Sequence, residues 1–460
     1  MPALIAAQTR TLLQRRAPHY KRWLQRLVEL PSYTRDPSDV RRQAQVTTEM
    51  FSEQLRYPLS ALTVESDAAH HGPHLVLRSG GLSSGLANRP VVGMVSHLDT
   101  VYPREQLQRD HFAWQDDSAS TDRLLGPGTM DIKVRTAATT AILLSASRAR
   151  HDCWRLSARQ GGTVLICMIL DALQTLAPET YHALDFAVLL NAAEEEMATD
   201  FARVADEQLD SPAGCLANLV FESGKVCTTR KEATVVVARK GRCVWKMQAA
   251  GIEGHAGNAH QTSRNAIVEL ARAVTAASEL TDSSKEVTVN VGTFHGGIGV
   301  NTVPGSAQAL VEMRAADKEV FERTAQMMDD LMAGAHHPHV LAERELTVPP
   351  WTANTRTEGL VEVYAAAAAE VGYSVQTQAR GGGSDGNWLW EKWPTIDGLG
   401  PSGANAHCSA LLPPPEGDLA CAVETETETR EYAEWSSFVT KATIGVVMIA
   451  QLLDRQVASG

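Results

Sequence analysis

Cysteine is scarce and unpaired in pattern: seven residues (Cys153, Cys167, Cys215, Cys227, Cys243, Cys408 and Cys421) are scattered over 460 positions with no CxxC spacing. That argues against a disulfide framework and for a reducing compartment. Basic charge is also in deficit, with 42 Lys and Arg against 54 Asp and Glu and a formal net charge of -12. A nucleic acid or an anionic membrane as main partner needs a basic face, so neither is expected. No run of eighteen apolar residues occurs, and MPALIAAQTRTLLQRRAPHY has only a short apolar patch before basic residues. The expectation is therefore no transmembrane span, no secretory leader, and a cytoplasmic protein. Internal repeats are missing, and ETETET from Glu424 is the sole low-complexity tract.

What is present is an ordinary globular balance, 44% hydrophobic and 21% charged, in a chain long enough for two domains. Apolar residues recur at helical spacing over Ala17 to Leu30 and Val40 to Leu55, with Pro31 and Ser32 between them. His74 to Arg78 and Val91 to Ser96 read as strands separated by SGGLSSGLANRP, and FAVLLN and LANLVFE (from Phe186 and Leu216) repeat the buried-strand pattern. Helical stretches between them predict an α/β layer with a mainly parallel sheet, residues 1–231. From about Lys231 the texture changes to a strand (Thr234 to Ala249), a helix (Ser263 to Ala277), two strands (Val287 to Phe294, Gln308 to Arg314) and a helix (Phe321 to Met332). This predicts an inserted α+β unit over 232–346, after which 347–460 returns to the first domain.

Each buried strand of the first domain runs into acidic or histidine residues, and in parallel sheets ligands collect beyond the carboxyl ends of strands. In VVGMVSHLDT, alternation places His97 and Asp99 on one side, so a carboxylate can fix which imidazole nitrogen faces a metal. The turn GPGTMDIK presents Asp131, and the strand ending LLN delivers Glu194-Glu195-Glu196 to the same edge. An acidic triplet is most often a solvated helix start; its position after a buried strand is what distinguishes it here. Glu222 ends another strand, and His407 in GLGPSGANAHCS supplies a second imidazole. Histidines with carboxylates suit zinc, which takes nitrogen and oxygen ligands and keeps an open position when catalytic.

The series SHLDTVYP, GPGTMDIK, NAAEEE, FESG, GIEGHAG, NTVP, GGGSDGN and NAHCS, in that order over nearly the whole chain, resembles the M20 metallopeptidases. The likeness is greatest to the glutamate carboxypeptidase, acetylornithine deacetylase and succinyl-diaminopimelate desuccinylase branch. The resemblance implies a zinc-peptidase-like α/β catalytic domain and an inserted ferredoxin-like domain that dimerises and closes over substrate. It implies His97, Glu195, Glu222 and His407 as terminal ligands, Asp131 as a bridge, Asp99 as the residue orienting His97, and Glu194 as general base. It implies two Zn2+ per subunit, with Co2+ or Mn2+ as substitutes, roughly 3.5 to 4 Å apart and activating a bridging water on an amide or peptide bond. His255 would stabilise the tetrahedral intermediate, and Asn301 and Arg314 would hold the substrate carboxylate. Against these last three stand plainer readings: His255 as a turn cap, Asn301 as a turn residue before Pro304, and Arg314 in a strand-end salt bridge. The expected partners are a small peptide or N-acyl amino acid and a second copy of the chain.

Three departures from that pattern are visible, one of them an extra stretch around Leu411 to Arg430 that removes no ligand. Met197 stands where relatives carry glycine, and Asp131-Ile132-Lys133 is followed by Val134 and Arg135 where relatives have a glycine pair; Gly161-Gly162 comes only later. Removing the 27 residues Val134 to Gln160 joins GPGTMDIK to GGTVLICMILDAL and restores the pattern. Valine codons begin with GT and one glutamine codon is CAG, so the segment fits an in-frame translated intron; a loop insertion with its own helix is the alternative. Two rival functions also fit parts of the sequence. Gly81-Leu82-Ser83-Ser84-Gly85 fits a serine-hydrolase GxSxG, but that motif opens a helix, and here LANRPVV leads into a strand. A catalytically impaired binding protein of the same family is the other, favoured by the break after Lys133 and opposed by the complete ligand set.

Overall fold

The computed structural model describes residues 2–81, 89–116, 120, 122–127, 129, 160–333, 338–405, 408 and 430–459. Asp131, His407, Ser83 and the segment 134–159 lie outside the described residues. In chain order the main elements are α1 (Pro2–Val28), α2 (Pro37–Gln54), β1 (Ser60–Val64), β2 (His74–Arg78), β3 (Val91–His97), α3 (Gln160–Leu176), β4 (Asp185–Asn191), α4 (Asp200–Leu209) and β5 (Cys215–Val220). They continue with β6 (Gly241–Ala250), α5 (Ala266–Ser278), β7 (Thr288–Gly296), β8 (Ser306–Ala315), α6 (Lys318–Ala333), β9 (Val340–Val348), α7 (Thr355–Val371) and α8 (Trp435–Ser459). The chain divides into two compact units. One comprises Met1–Val237, Asn354–Gln378 and Ser384–Gly460, and the other Ala238–Ala353 with Ala379–Gly383.

The first unit is built on a six-stranded sheet in the order β1-β2-β4-β3-β5 and a short last strand, Thr395–Ile396. β3 pairs in parallel with β4 and with β5, and Thr395–Ile396 is parallel to β5, while β1 and β2 run antiparallel at one edge. Every residue of β2, β3 and β4 is buried. Such continuous burial is why these strands read as apolar runs instead of alternating patterns.

One face of the sheet is covered by α3, α1 and α8, whose side chains form a single large apolar cluster with β3 and β4. α3 begins on Gly161 and Gly162, and both must be glycine. A Cβ on Gly161 would lie 2.5 Å from the Thr129 carbonyl oxygen, and one on Gly162 would lie 2.5 Å from the Phe221 carbonyl oxygen. The helix is thereby pressed onto the carboxyl ends of β3 and β5, and Gln160 Nε2 donates to the Leu98 carbonyl at 3.0 Å.

Three expectations are corrected. The first helix starts at Pro2, not near Ala17, and runs through Pro18. Burial of Ala6, Thr9, Leu12 and Leu13 in the core outweighs the hydrogen bond that a mid-helix proline removes. The strand read over Thr234 to Ala249 is two, Glu232–Arg239 and β6, broken at Lys240. There Gly241 sits too close to Pro350 and Phe321 to carry a side chain. Although no strictly apolar run of eighteen exists, Trp435–Val457 in α8 has a mean hydropathy of 1.5, long and apolar enough to cross a membrane. Its window is 78% buried inside the first unit, against α1, α3 and α7, so it is a core helix here.

The second unit has a four-stranded antiparallel sheet in the order β7-β8-β6-β9, with α5 and α6 in its core. Chain order β6-α5-β7-β8-α6-β9 with that strand order is a ferredoxin-like arrangement. β9 was not foreseen, because its exposed residues alternate with only a few apolar ones, buried at Val340 and Val348. On this sheet Glu312 accepts hydrogen bonds from Arg242 Nε at 2.6 Å and Arg314 Nε at 2.7 Å. Burial pushes the Glu312 carboxyl up, but Arg314 and Arg242 outweigh it and hold it at about 2. A depressed carboxylate contributes stability that is complete above its ordinary value of about 4.5 and is lost as pH falls toward about 2. In thermal unfolding across that window, the wild type is expected to lose stability more steeply than Glu312→Gln. Parallel slopes would show that the network contributes nothing.

Candidate metal centre

Three neighbouring strands deliver the site. β3 ends on His97 opposite Asn191 of β4, and Val95 pairs with Val220 of β5. Three residues past Asn191 the chain enters a 3₁₀ turn, Glu194–Glu196, and two past Val220 comes Glu222. The parallel register therefore brings His97, Glu194 and Glu222 to one edge. One ligand atom from each lies within 4.8 Å of the others, and they are 0%, 2% and 2% exposed.

The histidine is locked. His97 Nδ1 is 2.9 Å from Asp99 Oδ1, which places the proton on Nδ1 and leaves the Nε2 lone pair facing the carboxylates. Asp99 is itself held, accepting from Thr34 Oγ1 at 2.8 Å and from the backbone N–H groups of Glu194 at 3.2 Å and Glu195 at 3.3 Å. One buried carboxylate thus fixes both the ring and the turn bearing the glutamates.

That turn is braced from below as well. The Ala192 N–H donates to His74 Nδ1 at 3.1 Å, and His74 Nε2 faces Asp200 at 3.2 Å. Burial raises the Asp200 carboxyl, but His74, the Asp67 N–H and the Ser66 hydroxyl outweigh it and hold it well below the ordinary carboxylate range. Asn191 accepts from the Ala193 N–H and donates to Asp385. Met197, which closes the turn, has φ 56 and ψ 52. That left-handed conformation explains why glycine suits the position and costs a side chain about 1 kcal/mol.

The donor set fits a divalent metal. Among the described residues, buried His97 Nε2 and Glu194 Oε1 find no hydrogen-bond partner. Such orphaned atoms ordinarily cost about 1–3 kcal/mol each, and a cation between them removes that cost. An imidazole nitrogen with two carboxylates is also the nitrogen and oxygen chemistry that zinc accepts.

Of the residues expected at the centre, the structure brings together His97, Asp99, Glu194 and Glu222. Glu195 follows on the same turn, half buried, with its N–H on Asp99. The carboxylate drawn into the cluster is that of Glu194, expected as the base. His255, Asn301 and Arg314 lie in the second unit. His255 is exposed, and its Nδ1 accepts from the N–H groups of Gly257 and Asn258 at 3.2 and 3.3 Å, so it does cap its turn. Its neighbour across the short ladder is Thr302, with the Asn301 carbonyl accepting from the Ala256 N–H. The Arg314 guanidinium is occupied by Glu312 and the Gly381 carbonyl. Thr34, His74 and Asp385 were not singled out; His74 opens a strand and Asp385 lies in GGGSDGN, but only the folded chain places them under the turn.

A doubly flanked parallel sheet with a buried histidine–dicarboxylate group at its carboxyl edge and an inserted ferredoxin-like unit defines a two-domain α/β protein with a candidate metal centre. Residues 237–340 match the M20 peptidase dimerisation domain, and the fold is shared with solved M20 structures. An M20 family metallo-carboxypeptidase from Sulfolobus solfataricus superposes with a TM-score of 0.64 at 13% identity, covering 94% of this chain and 99% of that one. The aminopeptidase PepT from Bacillus cereus gives 0.62 at 19% identity, covering 94% and 98%. Among curated relatives, a "Probable carboxypeptidase" of Paracoccidioides brasiliensis is 23% identical over 286 residues, 59% of this chain and 56% of its own length. A succinyl-diaminopimelate desuccinylase of Nitrosomonas europaea is 27% identical over 244 residues, 49% and 61% respectively. The match thus spans little more than half the length of these relatives.

Proposed function

We propose that the protein is a metal-dependent hydrolase of amide or peptide bonds, acting as a carboxypeptidase or as a deacylase of N-acyl amino acids. The observation that carries this reading is the buried meeting of His97, Glu194 and Glu222, with His97 Nε2 and Glu194 Oε1 unpartnered among the described residues. His97, Glu195, Glu222 and His407 would hold two zinc ions with Asp131 between them. When bound, such ions lower the pKa of water and polarise a scissile carbonyl. Asp99 keeps the His97 lone pair on Nε2 and fixes the turn. Glu194, through Oε1, takes the proton of the attacking water and returns it to the leaving amine.

The names of the relatives, one a carboxypeptidase and the other a desuccinylase of an N-acyl amino acid, support substrates with a free carboxylate beside the amide. In the same reading His255 stabilises the tetrahedral intermediate and Asn301 receives that carboxylate, joined by Arg314 only if its guanidinium gives up its bonds to Glu312 and the Gly381 carbonyl. A homodimer is supported by the dimerisation-domain match and by β7, an edge strand mostly exposed along its length and carrying the exposed Phe294. Unpaired strand edges invite pairing with another chain.

Purified protein supplied with zinc and a panel of dipeptides and N-acyl amino acids is expected to release amino acid, and chelation is expected to abolish that release. Hydrolysis that survives chelation would refute the proposal. Zinc retained without turnover would point instead to the impaired binding protein.

A further inference from the structure

A second cluster of metal-ligating side chains lies in the first unit, outside the centre just described: His70, His71 and Glu196. The chain between β1 and β2 turns tightly at Ala68–His71, with the His71 N–H donating to the Ala68 carbonyl at 2.9 Å. Adjacent side chains of an extended segment point to opposite sides. This turn instead brings both imidazoles onto one oxygen. His71 Nε2 is 3.1 Å and His70 Nε2 is 3.5 Å from the same atom, Glu196 Oε2, and the ring centroids are 4.3 Å apart at 65°.

A simple ion pair does not require this arrangement. A carboxylate oxygen is already well served by one imidazolium, and a second protonated ring at that separation would repel the first. The other oxygen, Oε1, is taken by Arg35 Nε, so Glu196 has no need of a further cation for charge balance. Three ligand atoms around a tetrahedral zinc with bonds of about 2.0–2.1 Å stand about 3.3 Å apart, and the two measured separations bracket that value. Arg35 then plays the part of an outer hydrogen-bond donor, holding the carboxylate so that Oε2 alone faces the rings. The rings differ in access: the His70 side chain is 58% exposed, that of His71 8% and that of Glu196 25%. This leaves the site open to a water as fourth ligand and to metal entering from solvent.

We propose that His70, His71 and Glu196 form a surface site for one divalent transition-metal ion of the zinc class, separate from the His97 centre. Such an ion ties the turn before β2 to the Glu194–Glu196 turn, so its occupancy stiffens the segment that carries the candidate base. The proposal does not depend on the proposed hydrolysis, since it concerns ion binding by different side chains.

The test is equilibrium dialysis of the full chain, first stripped with chelator, against increasing zinc, with bound metal measured by atomic emission. Wild type, His70→Ala, the double variant His70→Ala/His71→Ala, and His97→Ala are compared. The double variant is expected to bind one zinc fewer per chain than wild type. His70→Ala, which removes a mostly exposed side chain and is not expected to disturb folding, should shift the same binding step to higher zinc. His97→Ala should leave that step in place. A wild-type isotherm reproduced unchanged by His70→Ala and by a folded double variant would overturn the proposal and leave the cluster as an ion-pair network. If the double variant does not fold, the single variant decides alone.

Discussion

Glu194→Gln is expected to lower kcat for amide hydrolysis by about 10²–10⁴-fold, the usual contribution of a positioned general acid or base, while the metal stays bound. Glu195→Gln is expected to lose both metal and turnover. The two glutamates are neighbours on one 3₁₀ turn, both with N–H groups on Asp99, so folding effects should be alike and the difference should be chemical. The geometry makes this comparison sharp, because it is Glu194 that joins His97 and Glu222 and whose Oε1 has no partner among the described residues. Turnover and metal content of both variants, measured side by side, assign the roles. If Glu194→Gln sheds metal while Glu195→Gln keeps it, the assignments are exchanged. If Glu194→Gln hydrolyses at the wild-type rate, Glu194 is not the base.

Removal of Val134 to Gln160 is expected to give a chain that folds at least as stably as the full one and hydrolyses amides faster. The reason is the position of two described residues. A Cβ on Gly161 would touch the Thr129 carbonyl oxygen at 2.5 Å, so Thr129 and Gly161 are spatial neighbours with 31 residues between them in sequence. Excision leaves Met130 to Lys133 to join them, a length natural for a tight connection. If the connection behaves as a flexible chain, shortening it that far reduces the entropic cost of closure by about 2 kcal/mol, less the bond from Gln160 to the Leu98 carbonyl. Asp131, expected as the bridging ligand, lies on the retained piece. Unfolding midpoints and hydrolysis rates of the two chains provide the check, and sequencing of mature transcripts tests the intron reading directly. A shortened chain that fails to fold, or that is no more active, would make the segment an integral part of the protein.

Much of the centre was legible because its residues follow apolar runs. VVGMVSH, FAVLLN and LANLVFE announce buried strands, and the first polar residues after them had to meet at one sheet edge. The inserted unit was legible from its change of texture, and its helices from apolar spacing. Less could be read where burial works against local preference. Pro18 hides the first half of α1, and β9 hides among charged residues. The supports under the glutamate turn come from Thr34, His74 and Asp385, which are remote in sequence and whose meeting no local pattern announces. A strand-end salt bridge is the plainer reading of Arg314, but only coordinates show Glu312 as its partner and the Gly381 carbonyl on its other edge.

The division of the chain also sets an order of events during synthesis. The stretch Ala238–Ala353 holds nearly all of the second unit, so it can close its sheet as soon as it has emerged, from contacts near in sequence. The first unit cannot, since it is assembled from both ends of the chain. Until Trp435–Val457 arrives, α1 and α3 lack the helix that covers them. Partly made chains therefore expose apolar surface for most of translation, the condition under which nascent proteins aggregate and recruit chaperones. A chain shortened at its carboxyl end would stay in that state, its second unit folded and its first unit open.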